Sequence, residues 1–404
     1  MSNNIKLLFI VAIILLIVTG VALFFAFRQN PAPTGSDGGI VGGGGDEGSL
    51  PSGSNNASNN GVVNLSDKNE PLTLPVSEDE KKKLVQLSTD PVVGPTINKA
   101  GDRVRFFKQG TGNLFETTLD GSGGETRLSN ITIKNIADAI WSPSKTYATI
   151  SSYDTDSVNN FWLHTTGTST IQTGEYSNTL LSSAYSPTED KLASIVKSGS
   201  QYAVSISNPD GKNAKTIYTT KIPDFEISWP SKNLFALKTK SSAFAPSLLG
   251  TIPVGGGLLT VISSEEQGLN ALWAPDGTHY LTSESISGGR DLKLEIRSLD
   301  AKESTAELSL KTLPEKCAFS KKEKLTLFCA IPNNIGSGPL PDAWWQKKVE
   351  FQDTLWATDI LTGESKLLLQ GGGFDMTHLF TSPNENYIFF VNKRDSTLWS
   401  LRLL

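Results

Sequence analysis

Three histidines, two cysteines and one tryptophan pair are the residues of this 404-residue chain with the most chemistry to offer. His164, His279 and His378 could serve as general bases or metal ligands, but they stand far apart in sequence. No G-x-S-x-G or H-E-x-x-H surrounds them, so spacing ties them into neither a triad nor a zinc set. The carboxylates are too dispersed to pick out the pair a glycosidase needs. Asp210-Gly211 and Asp276-Gly277 read as tight turns rather than calcium ligands. The residues therefore point to no catalytic group, no metal site and no cofactor.

Cys317 and Cys329 are the only cysteines, and each lies six residues from Glu323. A hairpin turning at Glu323 sets them opposite each other, within the Cα separation that a disulfide spans. Two buried free thiols are the alternative. Without a C-x-x-C pair, neither redox chemistry nor zinc binding is indicated. Soon after Cys329 comes a Pro/Gly-rich stretch from Pro332 that holds Asp342, Trp344 and Trp345. Aromatic side chains on an ordered loop make good contact points, which makes these three the candidate binding residues. The other reading has the tryptophans folding down to cap the adjoining sheet, because an exposed apolar pair is costly.

A repeat must position all of these residues. An apolar residue, then Ser-Pro or a variant, a polar turn and an apolar strand recur at Trp141-Ser142-Pro143, Tyr185-Ser186-Pro187, Trp229-Pro230, Trp273-Ala274-Pro275-Asp276-Gly277 and Thr381-Ser382-Pro383. Degenerate copies occupy Asn98-Lys99-Ala100-Gly101 and Phe319-Ser320-Lys321-Lys322. Markers at 99, 143, 187, 230, 275, 321 and 383 are spaced by 44, 44, 43, 45, 46 and 62 residues. All but the last interval match the length of a four-stranded propeller blade. The expected fold is all-β, a seven-bladed β-propeller over residues 71–404, with six or eight blades as alternatives. Trp141, Trp229 and Trp273 hold the same phase, as expected of side chains filling the seams between blades. Lys83 to Ser88 has the pattern of a fourth strand. Paired with the last strand of the chain, it would close the ring and leave no long edge exposed.

These phrases resemble the TolB-like propellers, a WD-repeat-like class whose blades carry Ser-Pro-Asp-Gly. Only Pro275-Asp276-Gly277 keeps Pro-Asp-Gly in full, and the resemblance covers roughly residues 83 to 404. It implies the propeller fold and little about activity. Members range from periplasmic scaffolds to propeller portions of peptidases, and no α/β-hydrolase domain follows here.

The remaining segments suggest a location. Residues 7–27 carry no charge and would span about 31 Å as a helix, the thickness of a bilayer core. They read as an uncleaved transmembrane helix, with a cleaved signal as the alternative. Lys6 and the free amine place residues 1–6 in the cytoplasm and the large domain outside it. Residues 28–70 form a Gly/Ser/Asn linker with no apolar periodicity. A net charge of -5 gives no footprint for nucleic acid. The expectation is a single-pass membrane protein whose propeller is a non-enzymatic binding or scaffold module for a protein, peptide or glycan at the cell envelope. An envelope hydrolase or lyase with its site in the propeller funnel is the alternative.

Overall fold

The alternation of apolar and polar residues sets each strand on its sheet. In Asp291–Ser298, Leu292, Leu294 and Ile296 are buried while the charged residues between them are not. A period of two puts the first set on one face and the second on the other. The turns are encoded as locally. Gly277 adopts φ 69°, and Asp276 Oδ1 accepts the backbone N–H of Thr278 at 2.9 Å and of His279 at 3.0 Å. Aspartate and glycine suit this turn because one caps free donors and the other tolerates the left-handed backbone.

The computed structural model describes residues 79 and 82–403, apart from 156, 167–169, 301, 303, 304 and 337. The membrane helix expected at 7–27 and the linker expected at 28–70 lie outside the described residues. The strands form seven four-stranded antiparallel sheets. Blades one to six span residues 92–127, 136–175, 180–220, 225–263, 270–308 and 317–369 in chain order. Blade seven takes three strands from 376–402 and its outermost strand from Leu84–Ser88. That strand runs antiparallel to Thr397–Arg402, with Leu84 opposite Leu401 and Gln86 opposite Trp399. The seven blades and the shared closing blade agree with the sequence reading.

The core is divided among the seams between blades. Phe106, Val104, Phe389 and Leu398 fill the seam of blades seven and one, and Ile195, Val204, Phe235 and Ile252 that of three and four. Trp141 stacks on Phe107 at 5.5 Å between ring centres, and its Nε1 donates to Gly94 O at 2.8 Å. Trp229 and Trp273 pack on Phe235 and Tyr280 within their blades. The three tryptophans thus serve the packing. Between blades two and three a hydroxyl cluster is found. Thr149 Oγ1 lies 2.9 Å from Tyr176 OH and 3.0 Å from Tyr185 OH, and Tyr176 donates to Pro209 O at 2.6 Å. Burial pushes the Tyr176 phenol up to about 12.

Candidate functional site

Blade six departs from the repeat in two ways, and both involve residues singled out above. Cys317 and Cys329 face each other across its first hairpin and form a disulfide, with a Cα–Cα distance of 4.1 Å. Its second and third strands, Thr326–Pro332 and Asp353–Asp359, are joined by the long insertion. Leu340, Trp344 and Phe351 of the insertion pack with Leu292 and Leu313 into a small core of their own. The same segment reaches two neighbouring blades. Leu340 N donates to Gly289 O at 2.9 Å in blade five, and Asp342 Oδ2 accepts Ala243 N at 2.7 Å in blade four. Gly289 has φ 80°, and a Cβ there would sit 2.8 Å from both Ala243 Cβ and Pro339 Cα. Only glycine permits this approach.

A buried charge cluster fixes the insertion from beneath. Lys316, wholly buried, places Nζ 2.7 Å from Asp353 Oδ2, 2.7 Å from Asp375 Oδ1 and 2.9 Å from Met376 O. Asp375 also accepts Trp344 Nε1, at 2.9 Å to Oδ2, and Phe351 N at 3.2 Å. The Lys316 ammonium lies 5.0 Å from the Trp344 ring centre and 5.1 Å from that of Phe351, close enough for cation–π attraction. One cation thus serves two carboxylates. Burial pushes the Asp353 carboxyl up to about 6, against the attraction of Lys316 and with repulsion from Asp375 adding to the rise.

The short helix Asp342–Trp345 divides the tryptophan pair. Trp344 is buried, whereas Trp345 is 40% exposed at the mouth of the central funnel. A cavity of about 490 Å³ opens there, walled by the insertion and by the innermost strands of blades seven, one and two. Its polar lining includes Glu315, His378, Asp138, Lys347 and Lys393. Glu315 belongs to the 3-10 turn Pro314–Lys316, so successive residues face the funnel and the buried cluster. Asn270 Nδ2 donates to Glu315 Oε1, whereas Glu315 Oε2 is buried without a hydrogen bond. Burial raises the Glu315 carboxyl above its usual range. A backbone N–H at Glu315, then Lys238 and the nearby Trp345 indole, hold it back, and Glu226 adds to the rise.

His378 reaches the funnel through a bulge. Its φ is 51°, and the pairing of its strand slips between Thr377 and Phe380. Blade one has the same slip between Val93 and Thr96, with Gly94 at φ 58°. His378 therefore holds a left-handed conformation in which blade one places glycine. Desolvation by the surrounding protein lowers the His378 pKa, opposed by Asp138. Burial likewise lowers the Lys393 pKa, and its Nζ donates to Trp344 O at 2.7 Å.

The sequence candidates thus separate. Asp342 and Trp344 are engaged inside the protein, and Trp345 is the member of the three that fronts the cavity. His164 stacks on Tyr147 in blade two with ring centres 4.0 Å apart, and His279 Nδ1 lies 2.6 Å from Asp276 Oδ2 in blade five. Among the described residues, no group of three or more His, Cys, Asp or Glu side chains is placed to hold a metal ion. Sequence reasoning passed over Asp138 and Glu315, and weighed His378 but found it no partner. The repeat phase marks two of them, since Asp138 and His378 each precede the turn prolines, Pro143 and Pro383, by five residues.

No protein-family model matches the chain, and no curated protein matches it. Solved structures do. An oligogalacturonate lyase in complex with manganese superposes with a TM-score of 0.53 at 12% identity, over 80% of this chain and 93% of that one. An uncharacterized protein from Listeria monocytogenes EGD-e gives 0.51 at 13% identity, over 78% and 96%. TolB from Acinetobacter baumannii gives 0.43 at 14%, over 70% and 65%. The likeness is one of fold. At these identities it says nothing of which ligand or reaction belongs to the funnel.

Proposed function

We propose that this protein is a membrane-tethered, extracytoplasmic propeller of TolB-like type that binds a protein segment, peptide or glycan at the cell envelope without transforming it. The observation that carries this reading is the pairing of Trp345 with Glu315 at the open funnel. A part-exposed indole offers a flat apolar face, and the Glu315 carboxyl lines the same cavity beside it. A ligand that stacks on the ring and hydrogen-bonds to the polar wall would use both. The cavity is of a size that takes a few sugar rings or side chains. Residues 7–27 supply the tether in this reading, and the linker lets the propeller sample the envelope.

Full-length protein in detergent, applied to peptide and glycan arrays, should give hits that the Trp345→Ala variant loses at least about tenfold, while its melting temperature is unchanged. Glu315→Gln should weaken the same hits. Equal binding by both variants would overturn the assignment of the site. Protease digestion of intact cells tests the placement: the propeller should be cut only once outer layers are permeable, and protection by the inner membrane would refute it.

A further inference from the structure

The buried cluster under the insertion holds an amine and two carboxyls in the arrangement that precedes a condensation. Lys316 Nζ lies 2.7 Å from Asp353 Oδ2, and the side chains of Lys316, Asp353 and Asp375 are at most 1% exposed. That contact brings the Asp353 carboxyl carbon to about the 3–3.5 Å of a near-attack arrangement. Hydrogen bonds hold the three groups in place. Asp353 N donates to Phe374 O at 2.9 Å, Asp375 N to Asn392 Oδ1 at 3.1 Å, and Lys316 Nζ to Met376 O at 2.9 Å. The rings of Trp344 and Phe351, centred 5.0 and 5.1 Å from Nζ, flank the amine.

The two carboxyls differ in ways that give them different parts. Asp375 accepts Trp344 Nε1 at 2.9 Å and Phe351 N at 3.2 Å, and its Oδ1, 2.7 Å from Lys316 Nζ, is placed to take a proton from the ammonium. Asp353 Oδ2 accepts Met376 N at 2.6 Å, a backbone donor aimed where negative charge develops when an amine adds to the carboxyl. Asp353 Oδ1 is buried with no hydrogen-bond partner among the described residues, which suits an oxygen that must depart. Burial pushes this carboxyl up to about 6, toward the neutral acid that an amine can attack.

We propose that Lys316 and Asp353 condense within the folded protein into an amide bond. The bond ties the turn ahead of blade six's first strand to the start of its third, and so fixes the exit of the insertion. One ammonium proton passes by way of Asp375 to Asp353 Oδ1, leaving an amine and a neutral acid. The Nζ lone pair attacks Asp353 Cγ, and the C=O electron pair moves onto Oδ2 beside Met376 N. A second proton passes from Nζ through Asp375 to Oδ1. The Cγ–Oδ1 bond breaks, Oδ1 leaves as water, and the C=O bond re-forms at Oδ2. Asp375 ends as it began, and no oxidant or co-reactant is consumed. One buried cation and one buried anion disappear, and both are costly to keep out of water. Until the bond forms, the three groups carry the charges described above.

The test is the mass of the full-length protein, incubated folded and then denatured and reduced, with tandem mass spectrometry of its digest. The expected mass is one water below that of the reduced sequence, with a branched peptide joining Lys316 to Asp353. Lys316→Met and Asp353→Ala should keep their full mass. Asp375→Asn should slow the loss of water by about a hundredfold in samples taken over time after synthesis, a rate that a purely structural role would not set. If these variants fail to fold, the wild-type mass and branched peptide decide alone. Wild-type protein of full mass overturns the proposal. So does a water loss that maps to an Asp-Gly turn, where the side chain can cyclise onto the next backbone nitrogen. A branch from Lys316 to Asp375 would overturn the roles given to the two carboxyls.

Discussion

Replacing Lys316 with methionine tests whether the buried cluster is what holds the insertion down. Methionine keeps most of the aliphatic stem and removes the charge. Asp353 and Asp375, each 2.7 Å from the lost ammonium, would then face each other with no cation between them. Met376 O would lose its donor, and the rings of Trp344 and Phe351 their cation. Breaking a buried pair in this way costs about 3–5 kcal/mol, and here two carboxylates are stranded. In a domain of this size that should lower the melting temperature by about 5–8 °C. The loss should be partly reversible by a second change. Lys316→Met/Asp353→Asn leaves one charge, Asp375, still served by Trp344 Nε1 and Phe351 N, and should recover about 1 kcal/mol or more. Urea unfolding followed by tryptophan emission measures both variants, and hydrogen exchange over 333–352 localises the effect. If Lys316→Met costs under about 1 kcal/mol, or the double variant is less stable than the single, the cluster does not hold the insertion in place.

Three further outcomes follow from features described above. Reducing the Cys317–Cys329 disulfide, which closes a loop with a sequence separation of 12, should cost up to about 3 kcal/mol, with intact mass before and after reductant as the check. Asp353→Asn should flatten the pH dependence of stability. The folded carboxyl, at about 6, lies above its ordinary 3.8, so its contribution is full below about pH 4 and fades as pH rises through 6. Chemical denaturation from pH 4 to 7 should therefore show a slope difference of order 1–3 kcal/mol in total between wild type and variant. Leu401→Asp, which puts a charge on a buried residue opposite Leu84 in the closing pair, should abolish cooperative melting in calorimetry. An unchanged transition would mean that the ring does not depend on that strand pair.

The fold was legible because its signals are local and repeated. Turn markers spaced by 43 to 46 residues over the first six copies, together with period-two strands, suffice to count blades. The Cys317–Cys329 pairing was legible for the same reason, since one hairpin register sets it. The funnel was less so. The long interval showed where the insertion lies, but the fates of Trp344 and Trp345 depend on Asp375 and on the funnel wall, both distant in sequence. Lys316 reads as an ordinary surface lysine, and its partner Asp375 is 59 residues away. Glu315 gives no hint of burial, because the residues that enclose it come from three other blades. His378 and Asp138 could have been found by comparing residues at equal distance from each turn, where a side chain replaces the glycine of blade one.

The closing strand also dictates an order of events. Leu84–Ser88 leaves the ribosome early, yet its partner Thr397–Arg402 is made some three hundred residues later. Six blades can assemble in sequence as the chain emerges, each from neighbouring strands. The seventh cannot. For most of synthesis an apolar strand with open backbone donors and acceptors waits beside a growing stack, the condition under which strands pair with the wrong neighbour. The final step joins segments of the greatest separation in the chain, so it is the slowest in prospect. A nascent chain stalled before residue 397 should therefore remain a substrate for chaperones even with six blades already formed.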